Sequence, residues 1–273
     1  EDECVLTQAI AKRIGQKANV GFRISGFTVN QEKLYSRFGF DVDEVVNFIA
    51  SYVGDNKSFD MLSVTGLHFH LDGYSTYQRS VSLVASIQIF SKLKEKGYAM
   101  SFIDIGGGIL MNYLEDEKEW NTFNEQLKKS VLEDSNDITF NNNGLGFRLE
   151  DGQLRGKLNT YPFFNAINKE SFIREVLDFM DTQSGLSVAS LLVKNGVELR
   201  IEPGRSLLDQ VGMTISKVIH RKKDAKGQWL VGLEMNMSQM MSSSADFLLD
   251  PFMLYNSEVE KNENVDVFFT GAY

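Results

Sequence analysis

Short apolar stretches alternate with amphipathic helical ones over residues 19–202, and this alternation constrains the fold more than any other feature of the 273-residue chain. The runs at 19–24, 63–71, 99–105 and 197–202 have the length and composition of buried strands. Between them, apolar side chains recur every three to four residues. Asp43 is placed to cap a helix carrying Val45, Val46, Ile49, Tyr52 and Val53, with Gly54 as its stop. Val84, Ile87 and Phe90 mark a helix over 80–96, and Trp120, Phe123, Leu127 and Val131 mark another over 115–132. Two shorter helices are expected over 170–180 and 188–194, and Arg13-Ile14-Gly15-Gln16 reads as the end of a helix. Strands alternating with helices predict an α/β fold with a parallel sheet, because a parallel crossover needs a connection of this length.

After Arg205 the texture changes. Residues 213–222 and 228–235 read as antiparallel strands around a turn at 223–227, and 135–156 reads as glycine-rich loops with a small hairpin. The expected domains are 1–208, the helix-and-strand part, and 209–273, the start of a β-rich second domain. The net charge of −9 argues against nucleic acid as a partner. Cys4 is the only cysteine, so no internal disulfide can form, which fits a reducing, cytoplasmic setting. No apolar stretch reaches membrane-spanning length.

Two strand ends carry complementary chemistry. Gly106-Gly107-Gly108 follows an apolar run, and three glycines expose backbone N–H groups to a phosphate. The bland alternative is a tight strand-to-helix turn. Glu202-Pro203-Gly204-Arg205 offers a carboxylate and a guanidinium at the end of another apolar run, each of which alone would read as a solvated charge. Taken with a phosphate site, they fit a heteroaromatic phosphate cofactor whose ring nitrogen faces the acid. His68 and His70 alternate on one strand and share a face. No third His or Cys is placed to complete a metal site with them, so no metal is expected; acid–base work or packing on a ring remains. Arg23 is a charge within an apolar run and needs a carboxylate or a bound anion. His220 reads as a surface residue.

These segments resemble, in order and spacing, the ornithine/diaminopimelate decarboxylase group of pyridoxal 5'-phosphate enzymes, which have the alanine-racemase-like fold. Gly66-Leu67-His68-Phe69-His70 is similar to that group's Gly-Leu-His-x-His strand, Asp104-Ile105-Gly106-Gly107-Gly108 to its phosphate loop, and Glu202-Pro203-Gly204-Arg205 to its ring-nitrogen segment. Arg23-Ile24 with Ser36-Arg37-Phe38-Gly39 is similar to its Arg-x and Ser-Lys-Phe-Gly. The resemblance implies a partial (β/α)8 TIM barrel followed by a β-rich domain, with pyridoxal 5'-phosphate as cofactor and amino-acid decarboxylation as the activity. It implies His70 over the ring face, Glu202 at the ring nitrogen, and Gly106, Gly107, Gly108, Gly204 and Arg205 at the phosphate, with Arg23 on the cofactor side. It also implies a homodimer. A regulatory homologue without activity, an amino-acid racemase, and a different barrel enzyme taking a phosphorylated substrate are the alternatives.

The chain departs from the group at His70-Leu71-Asp72-Gly73-Tyr74-Ser75, where an acid intervenes and the serine is displaced. Lys17-Ala18-Asn19 matches the context of the group's cofactor-binding lysine but lies too close to Arg23. That lysine is therefore expected upstream of Glu1, and cross-subunit residues after Tyr273. The chain is expected to be a fragment that binds the cofactor weakly and does not turn over.

Overall fold

The computed structural model describes residues 1–133, 138–139, 142–236, 239, 251–255 and 264–271. The chain divides into two compact units, one formed by 1–111 and 166–208 and the other by 112–165 and 209–273. The excursion 112–165 thus groups with the C-terminal segment rather than with the helix-and-strand part.

The first unit opens with α1 (Asp2–Ile14), closed by Gly15 in the left-handed region at φ 73°. There follow β1 (Ala18–Ser25), the two-residue hairpin strands β2 (Thr28–Val29) and β3 (Glu32–Lys33), β4 (Phe40–Asp41), α2 (Val45–Tyr52), β5 (Leu62–His68), α3 (Thr76–Glu95) and β6 (Phe102–Asp104). The second unit contributes α4 (Glu117–Glu133) and the strands β7 (Phe147–Glu150) and β8 (Gln153–Gly156) before the first resumes with α5 (Lys169–Asp178), α6 (Val188–Asn195) and β9 (Glu198–Arg200). The last strands are β10 (Val218–Lys223), β11 (Trp229–Leu233) and β12 (Val267–Thr270).

In the first unit β4, β1, β5, β6 and β9 form one five-stranded sheet, in that order and parallel throughout. Register partners in parallel strands share a face, which gives the sheet two rows of different character. Phe22, Leu67 and Ile103 are aligned in the apolar core, and Leu199, in register with them, packs against it half-buried. Arg23, His68, Asp104 and Arg200 are aligned on the opposite face and are half-buried or exposed. The Phe102 ring lies on this second face across Gly66, where any Cβ would collide with it, and Arg200 Cζ stacks 3.7 Å from the ring centroid.

Helix α3 is buried around most of its circumference because α2, α5 and α6 flank it. Leu83, Ile87, Phe90 and Leu93 fill the core, while Ser80, Ser82 and Ser86 let the neighbours approach closely. The Ser80 and Ser86 hydroxyls donate to carbonyls one turn back, at 2.8 and 2.7 Å, which removes most of the cost of burying them. Fully burying each Leu or Phe contributes roughly 1.5–3 kcal/mol. The helix starts four residues earlier than its apolar stripe indicates, because Ser75 caps it by accepting a hydrogen bond from Gln78 N at 3.1 Å. Asp43, by contrast, does not cap α2. Glu44 holds that position, and the Asp43 N–H donates to Asp41 Oδ1 at 3.0 Å.

In the second unit, α4 packs on the β7–β8 hairpin, which turns at Asp151-Gly152 with both residues at positive φ, the geometry a two-residue hairpin favours. Trp120 stacks on Phe123, with ring centroids 5.6 Å apart. β10 and β11 are antiparallel as expected, though β10 begins at Val218 rather than at 213, and β12 adds to β11 in parallel. His220 is exposed on β10.

Candidate functional site

β6 and β9 are neighbours in the sheet although 93 residues of chain separate them, from 105 to 197. Their shared register sets Asp104 beside Arg200, and β5 sets His68 beside Asp104. Main-chain pairing continues past the regular strands. Phe69 N–H donates to Asp104 O at 2.9 Å, Ile105 N–H to Arg200 O at 3.0 Å, and Glu202 N–H to Gly106 O at 3.0 Å. His70, Gly106 and Glu202 each lie two residues beyond that aligned trio, and so meet at the C-terminal rim of the sheet.

The side chains converge there. His70 Nδ1 is 3.3 Å from Glu202 Oε2, a hydrogen bond when that nitrogen bears the proton, and His68 Nε2 is 3.8 Å from the same oxygen. The two imidazoles stand 6.4 Å apart at 73°. Glu202 therefore supplies the third ligand-type group that the histidine strand lacks by itself, with the three donor atoms within 4.8 Å of one another.

The glycine triplet is packed against this pair. Gly106 and Gly108 have φ of 70° and 77°, where any other L-residue is strained. A Cβ on Gly106 would stand 2.8 Å from both His70 Nδ1 and Phe69 O, and one on Gly107 would stand 2.6 Å from Glu202 O. Asp104 Oδ1 accepts the Gly106 N–H at 2.8 Å and pins the start of the turn. The glycines are thus required by close approach of three chain segments as well as by any ligand.

One residue of this site carries no signal in a motif reading. Arg79, in the first turns of α3, is 0% exposed, and its Nη2 donates to Gly107 O at 2.7 Å. Its Cζ lies 5.1 Å over the Phe172 ring. Nε and Nη1 are buried without a hydrogen-bond partner, and burial pushes the guanidinium down to about 10. The clue in the sequence is a cation at a helix N-terminus, where the helix dipole disfavours it.

His68 titrates below its ordinary value, chiefly because of burial, while Asp104 and Glu202 pull it back up and Arg23 and His70 push it further down. Its Nε2 is buried and has no hydrogen-bond partner. A depressed histidine is held neutral, so its stabilising contribution is complete above the unfolded value near 6.5 and is lost as pH falls through the folded value. The expected result is that the unfolding midpoint of the protein declines below about pH 6.5 more steeply than that of its His68→Gln variant. Parallel curves would assign the acid sensitivity elsewhere.

Arg23 is aligned with His68 in the sheet, and its Cζ lies 5.1 Å over the Phe38 ring. Gly204 and half-buried Arg205 form a short 3₁₀ turn just beyond Glu202. Lys17 precedes β1, at the opposite end of the sheet from this rim, and its ammonium pairs with Asp55 at 2.5 Å. Ala272 and Tyr273, together with most of 234–246, lie outside the described residues.

Residues 3–153 match the family model for the pyridoxal binding domain of pyridoxal-dependent decarboxylases. The chain belongs to the pyridoxal-dependent decarboxylase family. Among curated proteins it is 26% identical over 222 residues to an uncharacterized protein (y4yA) of Sinorhizobium fredii, covering 80% of this chain and 43% of that one. It is 28% identical over 121 residues to the diaminopimelate decarboxylase of Aquifex aeolicus, covering 40% of this chain and 27% of the relative. The chain therefore spans less than half the length of these relatives. Among solved structures, diaminopimelate decarboxylase from Helicobacter pylori complexed with L-lysine superposes with a TM-score of 0.50 at 18% identity, covering 86% of this chain and 45% of that one. This likeness shows the decarboxylase barrel fold.

The cofactor of such a pyridoxal-dependent decarboxylase is pyridoxal 5'-phosphate, and the rim suits it. A glycine cradle suits a phosphate, an acid at the same rim suits a ring nitrogen, and His68 Nε2 is a buried polar atom left without a hydrogen-bond partner among the described residues.

Proposed function

We propose that the protein to which this chain belongs decarboxylates an amino acid with pyridoxal 5'-phosphate. The observation that carries this reading is the meeting of His70, the glycine triplet and Glu202 at one rim, within a chain of the decarboxylase family. When bound, the cofactor supplies an electron sink for the carbanion left by loss of carbon dioxide.

The protein's groups bind and orient. The Gly106–Gly108 turn, with Gly204 and Arg205, receives the phosphate. Glu202 holds a proton on the pyridine nitrogen, and raising that nitrogen by about two pH units needs roughly 3 kcal/mol of differential interaction. A charge-assisted hydrogen bond in a partly desolvated site can supply it. His70, whose Nδ1 is 3.3 Å from Glu202 Oε2, would pack against the cofactor ring. Arg23 adds positive charge on the sheet face shared with His68. Lys17, at the opposite end of the sheet from this rim, is not the lysine that carries the cofactor in this proposal. The proposal also includes a cytoplasmic homodimer, and a β-rich domain that starts at 209.

The test is product analysis on the full-length protein. With pyridoxal 5'-phosphate and a panel of basic and other amino acids, release of carbon dioxide with formation of the matching amine is expected from at least one. Inversion of the α-carbon without gas release would make it a racemase, and an inert protein that still binds the cofactor would make it a regulatory homologue.

A further inference from the structure

We propose that Arg79 is the buried counter-charge and positioning residue for the phosphate group that the glycine turn receives. This rests on the functional reading above and extends it to a residue of the following helix that none of the motifs contains.

Arg79 is 0% exposed, and among the described residues no carboxylate pairs with it. Its side chain donates to Gly107 O at 2.7 Å and lies over the face of Phe172. Two of its nitrogens, Nε and Nη1, are buried without a hydrogen-bond acceptor. A buried unpaired charge is among the least favourable arrangements a fold can hold, and the usual remedy is a bound ion of the opposite sign.

Geometry indicates where the anion belongs. The peptide joining Gly107 to Gly108 is trans, as are all peptides among the described residues, so its carbonyl and its N–H point in opposite directions. Arg79 holds the carbonyl, which turns the Gly108 N–H away from the guanidinium and off the far side of the turn. Gly108 itself is so close that a Cβ would stand 3.0 Å from Arg79 Nη2. The turn is thus clamped with its carbonyl on the cation and a donor facing outwards. A phosphate monoester on the outer side would accept that N–H and answer the buried charge across a single peptide thickness. The helix beneath contributes in the same sense, because Ser75 caps α3 and its N-terminal end carries partial positive charge.

Apo full-length protein, Arg79→Met and Arg79→Lys are compared for binding of pyridoxal 5'-phosphate and of pyridoxal, which lacks the phosphate. Arg79→Met is expected to weaken pyridoxal 5'-phosphate by about thirtyfold and pyridoxal by less than about threefold, with Arg79→Lys recovering part of the loss. Equal weakening of both compounds would make Arg79 a prop for the turn and overturn the inference, as would no weakening of either. If Arg79→Met does not fold, the wild-type protein decides. Inorganic phosphate should raise its unfolding midpoint and displace pyridoxal 5'-phosphate, whereas chloride at equal ionic strength should not; no effect of phosphate overturns the proposal. Wild-type protein that binds neither compound would defeat the functional reading itself, an outcome distinct from every result above.

Discussion

Replacing Glu202 by Gln in the full-length protein is expected to lower decarboxylation by about a hundredfold or more while leaving cofactor content nearly unchanged. In the proposed role the acid holds about two pH units of basicity on the ring nitrogen, and each unit is worth about 1.4 kcal/mol, or tenfold in rate. Gln keeps the size of the side chain and can still hydrogen bond, but it has no charge with which to retain the proton. In the proposed site the phosphate contacts belong to other residues, so binding is affected far less than turnover. A second readout is independent of activity. Glu202 is one of the two acids that raise the depressed titration of His68, so the variant should shift that imidazole further down. Unchanged turnover would remove Glu202 from the mechanism even if the imidazole shifts.

Gly106→Ala is expected to damage both the fold and the site. An L-residue at φ 70° costs about 1–2 kcal/mol. The new Cβ would also stand 2.8 Å from Phe69 O and from His70 Nδ1, and overpacking of this kind costs roughly 1–3 kcal/mol more. The sum is a large share of the roughly 5–15 kcal/mol that stabilises a domain. Gly15→Ala is the matched control: its φ is 73°, but nothing lies within 4 Å of the added carbon. Urea midpoints should fall much further for Gly106→Ala than for Gly15→Ala, and cofactor affinity should fall only in the former. Equal effects of the two substitutions would mean that the packing around Gly106 yields freely.

The strand and helix succession could be read from the chain because one periodicity gives way to the other, from alternation to a three-to-four repeat, with Gly15 and Gly54 as punctuation. What escaped was set by tertiary structure. The stripe of α3 starts at residue 80 because the preceding turn is held by a serine cap and a buried arginine, neither of which has an apolar signature. The strands β6 and β9 are shorter than their apolar runs because the chain keeps its main-chain pairing while leaving regular geometry, and this is what carries His70, Gly106 and Glu202 to one place. The glycine triplet and the acid at 202 were visible as motifs expected to serve one cofactor. Their direct main-chain bond was not visible, since adjacency of β6 and β9 depends on sheet order across the excursion 112–165.

The bond from Glu202 N–H to Gly106 O joins the two halves of the rim through main-chain atoms that every residue except proline possesses. The close approach fixes Gly106 and Gly107, but positions outside it, such as Asp72, can drift without dismantling the cradle. New substrate preferences can then arise by exchanging decoration around an unaltered frame, which makes this rim a sound starting point for laboratory evolution of altered specificity.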